Sequence, residues 1–185
     1  FLPGLTTLPS TFGALSGLQH LEIRDCKYFE ELPPCLGQLT SLRKLELVHL
    51  GQLKTLPSTI GALTGLQELN IQECALKGMP RSIEALTALQ TLIVRSSFLN
   101  EPDVRPIKTL SCALPSLQQL RHLTLAGAGY PSPVSIAEHV LAIGRSLKAW
   151  PPPLLLHLHH AVQLGTCWRE LGLPAGGGSV GRRRD

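Results

Sequence analysis

Residues 53–94 carry one apolar frame written twice. Leu53, Leu56, Pro57, Ile60, Leu63, Leu66, Leu69 and Ile71 recur 23 positions later as Leu76, Met79, Pro80, Ile83, Leu86, Leu89, Leu92 and Val94. Self-similarity at a fixed period of roughly 20–50 residues is the mark of a solenoid, in which each unit is too small to bury its apolar face alone. Neighbouring units must therefore supply one another's core, and the chain folds as a stack.

The frame runs outward in both directions. Upstream it reads Phe29, Leu32, Pro33, Leu36, Leu39, Leu42, Leu45 and Leu47, and before that Leu5, Leu8, Pro9, Phe12, Leu15, Leu18, Leu21 and Ile23, each step being 24 residues. Downstream Ile107, Leu110, Leu114, Leu117, Leu120, Leu123 and Leu125 fit after a step of 31, with Ser111 in the Pro column. About five turns are visible. Their Leu-x-x-Leu-x-Leu-x-x-Asn/Cys core resembles the leucine-rich repeat pattern. That resemblance implies an α/β solenoid with a curved parallel sheet on the concave face and short helical or irregular segments on the convex one.

Within a turn the Leu-x-Leu/Ile pair predicts a short strand, whose alternation sends Leu69 and Ile71 inward and the residues between them outward. The Pro-x-x-Ile-Gly-x-Leu segment supplies the crossover. Gly13, Gly37 and Gly61 share one crossover position, which calls for a tight bend or a close backbone approach. Glu84 and Pro115 replace them later, so those bends are expected to be less regular. Cys26, Leu50, Cys74 and Ser97 hold the column usually given to a ladder-forming Asn. Cys26 and Cys74 fall two strands apart, roughly 9.5 Å at ~4.8 Å per strand, beyond the ~7 Å reach of a disulfide. They are expected to be buried thiols, which points to a reducing, cytoplasmic setting.

The array is expected over residues 1–128, with an insertion loop at 98–106 marked by two prolines and three charges. Residues 129–171 predict a helical C-terminal segment able to cap the stack. Its clearest part opens on the Ser135-x-x-Glu138 capping box and ends near Trp150, before Pro151-Pro152-Pro153. Residues 172–185 read as a flexible basic tail. The first residues enter partway through a turn without the polar outer face that terminal repeats need, so the chain is expected to be a piece of a longer protein.

Charge divides unevenly. Residues 1–128 hold 11 Lys/Arg against 10 Asp/Glu, and the formal +4 comes mostly from Arg182, Arg183 and Arg184. A terminal arginine run is ordinarily a solvated tail, and no nucleic-acid partner is expected. The longest apolar run, 154–164, is interrupted by His157, His159 and His160 and is too short to span a bilayer. On a helix His157 and His160 would share a face, but no Cys, Asp or Glu stands at a supporting spacing, and zinc sites want three or four ligands. No metal or cofactor is expected. Cys167 lies in Cys-Trp-Arg-Glu, without the Asp of the Cys-x-Asp site found in bacterial repeat-bearing ubiquitin ligases. An enzyme is the third reading.

What remains is the outward strand positions. They are His20, Glu22, Arg24 and Asp25; Lys44, Glu46, Val48 and His49; Glu68, Asn70, Gln72 and Glu73; Thr91, Ile93, Arg95 and Ser96; then His122 and Thr124. This face is mixed in charge and somewhat acidic at its middle. None of the eight aromatics falls on it, although Trp and Tyr usually anchor interfaces. Arg24 and Arg95, in one column roughly 14 Å apart at ~4.8 Å per strand, become the expected anchors, with Glu22, Glu46 and Glu68 beside or between them and Lys44 completing the candidate set. The second reading is a structural repeat segment with no binding site of its own.

The unit Leu-Lys-Thr-Leu-Pro-Ser-Thr-Ile-Gly-Ala-Leu-Thr-Gly-Leu-Gln-Glu-Leu-Asn-Ile-Gln-Glu-Cys is similar to the cytosolic repeats of plant disease-resistance receptors and to intracellular Ras-group repeats. The resemblance covers roughly residues 5–128. It implies a protein-interaction module within an immune receptor or signalling scaffold, with a protein partner and, in the full-length protein, a nucleotide-binding domain in cis.

Overall fold

Each outward–inward alternation of the sequence becomes one strand of a parallel sheet. The computed structural model describes residues 4–96, 112–126 and 155–158. Its strands are β1 (His20–Arg24), β2 (Lys44–Val48), β3 (Glu68–Cys74), β4 (Thr91–Ser96), β5 (His122–Ala126) and β6 (Leu155–Leu158), hydrogen-bonded in chain order. The register follows the repeat: His20 pairs with Lys44, Lys44 with Glu68, Glu68 with Thr91 and Thr91 with His122. At each strand entrance one carbonyl accepts two amides from the next turn. Gln19 O takes the N–H groups of Arg43 and Lys44, and Arg43 O those of Gln67 and Glu68, at 2.8 and 3.0 Å in both cases.

The crossovers are 3₁₀ turns at Ser10–Ala14, Pro34–Gln38, Ser58–Ala62, Arg81–Ala85 and Leu114–Ser116. The first four start from the proline column. Pro57, for example, sits at φ −66° and ψ 145°, an extended geometry its ring favours, and Pro57 O accepts the Ile60 amide at 3.1 Å. Short i→i+3 turns suit a crossover that must return the chain within a few residues. Between sheet and crossovers lie the leucine columns. Leu39, Leu42, Leu45, Leu63, Leu66 and Leu69 are fully buried. The first turn differs: Leu15, in the column of Leu39, is 49% exposed, and Leu5, Leu8, Phe12 and Leu18 are only partly buried.

Two features refine the sequence reading. The glycine column serves close approach rather than bending. Among the described glycines only Gly78 has a positive φ, yet a methyl group on Gly37 would stand 2.7 Å from Thr59 O, and one on Gly61 2.7 Å from Ser82 O. The turn around Glu84 is accordingly as long as the three before it, contrary to the expected irregularity, because nothing in the bend itself needs glycine. The Leu114–Ser116 turn is shorter, at three residues. The packing has a cost: Thr59 Oγ1 and Ser82 Oγ are buried with no hydrogen-bond partner among the described residues.

The second feature is a left-handed residue at the exits of β1, β2 and β3: Asp25 (φ 56°), His49 (φ 54°) and Glu73 (φ 50°). Strict alternation would turn these residues inward after Ile23, Leu47 and Ile71. The left-handed step reverses the phase, leaving the polar residue out and burying Cys26, Leu50 and Cys74. In β3 it registers as a bulge between Gln72 and Cys74. Cys26 and Cys74 are both buried thiols, and no disulfide occurs among the described residues. Cys74 Sγ lies 3.4 Å from Gln72 O and 3.5 Å from Leu47 O, and burial pushes its thiol up to about 11.

One expectation is corrected. Residues 155–158, placed by the sequence reading within a helical segment, form β6, parallel to β5 with Leu155 opposite His122 and His157 opposite Thr124. A leucine-rich stretch of this length has no period that separates strand from helix. His157 therefore lies on a strand, and His160 lies outside the described residues. The 98–106 loop, the remainder of 129–171 and the 172–185 tail lie outside the described residues.

Candidate functional site on the concave face

The outward positions form rows running across the strands. One row is His20, Lys44, Glu68, Thr91 and His122; the next is Glu22, Glu46, Asn70, Ile93 and Thr124; a third is Arg24, Val48, Gln72 and Arg95. Arg24 and Arg95 thus share a row three strands apart, as the spacing implied. Glu22 and Glu46 occupy the adjacent row, while Glu68 lies one row farther away rather than between the arginines.

Parallel pairing sets the Glu22 and Glu46 carboxylates opposite each other, an unfavourable like-charge contact by itself. The neighbours neutralise it. Arg24 grips Glu22 on its own strand, its Nε donating to Oε1 at 2.6 Å. Glu46 is the hub: Oε2 meets His20 Nε2 at 3.2 Å, while Oε1 accepts from Lys44 Nζ at 3.3 Å and Asn70 Nδ2 at 3.3 Å. Lys44 also reaches Glu68 at 3.1 Å. Gln72 Nε2 donates to Asn70 Oδ1 at 2.9 Å. At the strand exits His49 Nδ1 and Asp25 Oδ1 are 2.7 Å apart.

The electrostatics follow from this wiring. Burial alone would raise the Glu46 carboxyl, whose side chain is 12% exposed, but the donors Asn70, Lys44 and His20 outweigh burial and hold it below the ordinary carboxylate value. The hydrogen bond to Glu68 raises Lys44, against the opposing effect of burial and with help from Glu46. Both groups stay ionised at neutral pH, and Glu46 acts as an internal strut rather than a contact. Val48 and Asn70 are outward in register yet buried beneath their neighbours, so they leave the accessible face. Arg24 and Glu22 remain well exposed. Arg95 is half-buried, and its Nε has no hydrogen-bond partner among the described residues.

One convergence escaped the sequence reading. The ligand atoms of His20, Glu22 and Glu46 lie within 4.8 Å of one another, a spacing suited to a cation. The residue columns could have signalled it, since all three occupy neighbouring outward positions of β1 and β2. Arg24 and Lys44 already sit on the two carboxylates, however, and their charges oppose a further cation there. The arrangement is an ion-pair network. Among the described residues no helix is long and apolar enough to cross a membrane.

A family model described as a leucine-rich repeat region matches residues 3–168. None of the curated proteins matches the chain. Among solved structures, the leucine-rich repeat ectodomain of the Arabidopsis receptor kinase HAESA, in complex with a peptide hormone, is 22% identical at a TM-score of 0.47, over 82% of this chain and 24% of that one. A plant ice-binding protein is 19% identical at 0.42, over 66% of this chain and 53% of its own. The leucine-rich repeat domain of the type III effector XopL is 18% identical at 0.42, over 83% and 73%. The chain therefore spans less than two thirds of the HAESA ectodomain and of the ice-binding protein.

Proposed function

The chain belongs to the leucine-rich repeat family, whose domains commonly mediate protein–protein interaction, and from that premise we propose that its concave face binds a protein partner. The observation that supports this most is the wiring of Glu46. Hydrogen bonds to Glu46 lock His20, Lys44 and Asn70 from three adjacent strands, so the exposed Glu22 and Arg24 and the partly exposed Glu68 stand on a pre-ordered platform. Pre-ordering reduces the side-chain entropy that an interface must otherwise lose on binding. The wider setting is a cytoplasmic immune receptor or signalling scaffold, with a nucleotide-binding domain in cis in the full-length protein. That setting is supported by the Leu-Pro and Cys columns of the repeats.

The test is affinity for a partner identified by crosslinking and mass spectrometry in the source cell. Glu68→Lys and Arg95→Glu are each expected to change that affinity about tenfold, the scale of ~1.4 kcal/mol, with Glu68→Lys also lowering the melting temperature slightly because it replaces the ion pair to Lys44 with a like-charge contact. Charge reversal at Arg182, Arg183 and Arg184 leaves it unchanged. A complex indifferent to both face variants, but lost on changing the 98–106 loop, moves the site to that loop.

A further inference from the structure

The near-neutral array is electrically two-sided. On the outward positions and strand exits of β1–β5, five carboxylates (Glu22, Asp25, Glu46, Glu68 and Glu73) face three cations (Arg24, Lys44 and Arg95). Off that face the described residues reverse the balance, with the exposed Lys27, Arg43, Lys54, Lys77, Arg81 and Arg121 against Glu30, Glu31 and Glu84. The concave cations are also largely committed. Arg24 is held by Glu22, and Lys44 by Glu46 and Glu68 together. The committed acids keep open sides: Glu22 and Glu68 retain more than a third of their side-chain exposure, and Glu73 is exposed at the exit of β3.

From this charge separation we infer that the concave face takes a cationic protein segment, one presenting Lys or Arg side chains to Glu22, Glu68 and Glu73. The inference rests on the concave-face reading above and fixes the sign of its partner. It reverses the role that the sequence suggested for Arg24. The arginine sets the position of Glu22, and the carboxylates receive the partner. A concave wall with a net excess of one sign concentrates field lines and attracts the opposite charge more strongly than a flat surface does.

The whole chain carries a formal +4, so indiscriminate attraction would favour an anionic probe. The full chain is titrated by fluorescence anisotropy with two labelled nonapeptides, one alternating Lys and Ser and the other Glu and Ser, at low and physiological salt. The lysine peptide is expected to bind more tightly and to weaken with salt. Glu68→Gln with Glu73→Gln is expected to weaken it about three- to tenfold, as loss of two exposed ion pairs allows. The same charge change at Glu30 and Glu84, off the face, leaves it unchanged. Preference for the glutamate peptide, abolished by Arg24→Gln with Arg95→Gln, overturns the sign while leaving the face as a binding site. Binding of either peptide that ignores all concave variants removes both readings. No binding of either peptide overturns the inference and leaves the face to the partner assay.

Discussion

Replacing Gly37 with alanine drives a methyl group against the main chain of the next crossover. It would lie 2.7 Å from Thr59 O, 2.9 Å from Thr59 Cβ and 3.3 Å from Ala62 Cβ. The nearest of these is main chain, so relief requires the whole Ser58–Ala62 turn to move, and that turn is pressed against Arg81–Ala85 in its place. Forcing an extra methyl into such packing costs ~1–3 kcal/mol. Alanine also restricts the unfolded chain, a stabilising effect of ~0.4–1 kcal/mol where the native backbone tolerates it. The expected balance is a loss of ~1–2 kcal/mol. Gly17 isolates the second effect, since a methyl there meets nothing within 4 Å. Gly17→Ala should be neutral or slightly stabilising. Urea melts followed by circular dichroism decide it: Gly37→Ala should lower the midpoint by ~0.5–1 M at a urea slope of ~1–3 kcal/mol/M, and Gly17→Ala should leave it level or raise it. Equal midpoints would refute the claim that the glycine column exists for close approach.

The alternation of β3 predicts a second contrast. Leu69→Ala, at a fully buried site, should cost ~2–5 kcal/mol, and Glu68→Ala, one residue along, no more than ~1 kcal/mol from its partly exposed ion pair; denaturant melts giving equal losses would mean the register is wrong. Cys26 and Cys74 should resist alkylation in the folded protein and react on unfolding, as read by mass spectrometry. Because the folded Cys74 thiol is raised to about 11, its contribution to stability is intact below the ordinary thiol value and declines as pH rises toward that figure. The loss of ~2 kcal/mol between pH ~9 and ~11, at ~1.4 kcal/mol per unit, should be absent from the pH–stability profile of Cys74→Ala.

Strand positions were legible because inward leucines at two-residue spacing leave one register that buries them all. Leu69 and Ile71 or Leu92 and Val94 have no other arrangement that keeps both from water. The alignment of Arg24 and Arg95 in one row, three strands apart, followed from the same arithmetic. Side-chain partnership did not. Whether Lys44 turns to Glu46, to Glu68 or to water depends on rotamers and on the depth of the groove, and the composition of a row carries neither. The burial of Asn70 and Val48 on a nominally exposed face has the same origin. The left-handed exits at Asp25, His49 and Glu73 were visible only as two successive outward residues, since three different side chains occupy a conformation that marks itself in sequence when glycine holds it. Residues 155–158 were misread because the repeat frame had already lapsed, leaving hydrophobicity without a period.

Shared burial makes the turns of the stack answer for one another. In a one-dimensional array each unit draws its stability from its neighbours. Leu15 leaves half its surface in water where Leu39, one turn later, leaves none, so within these residues the unit holding β1 is the less covered of the two. A partner seated across β1, β2 and β3 would tie that less covered unit to its better covered neighbours. Occupancy of the groove and the order of that turn would then be two readings of one equilibrium.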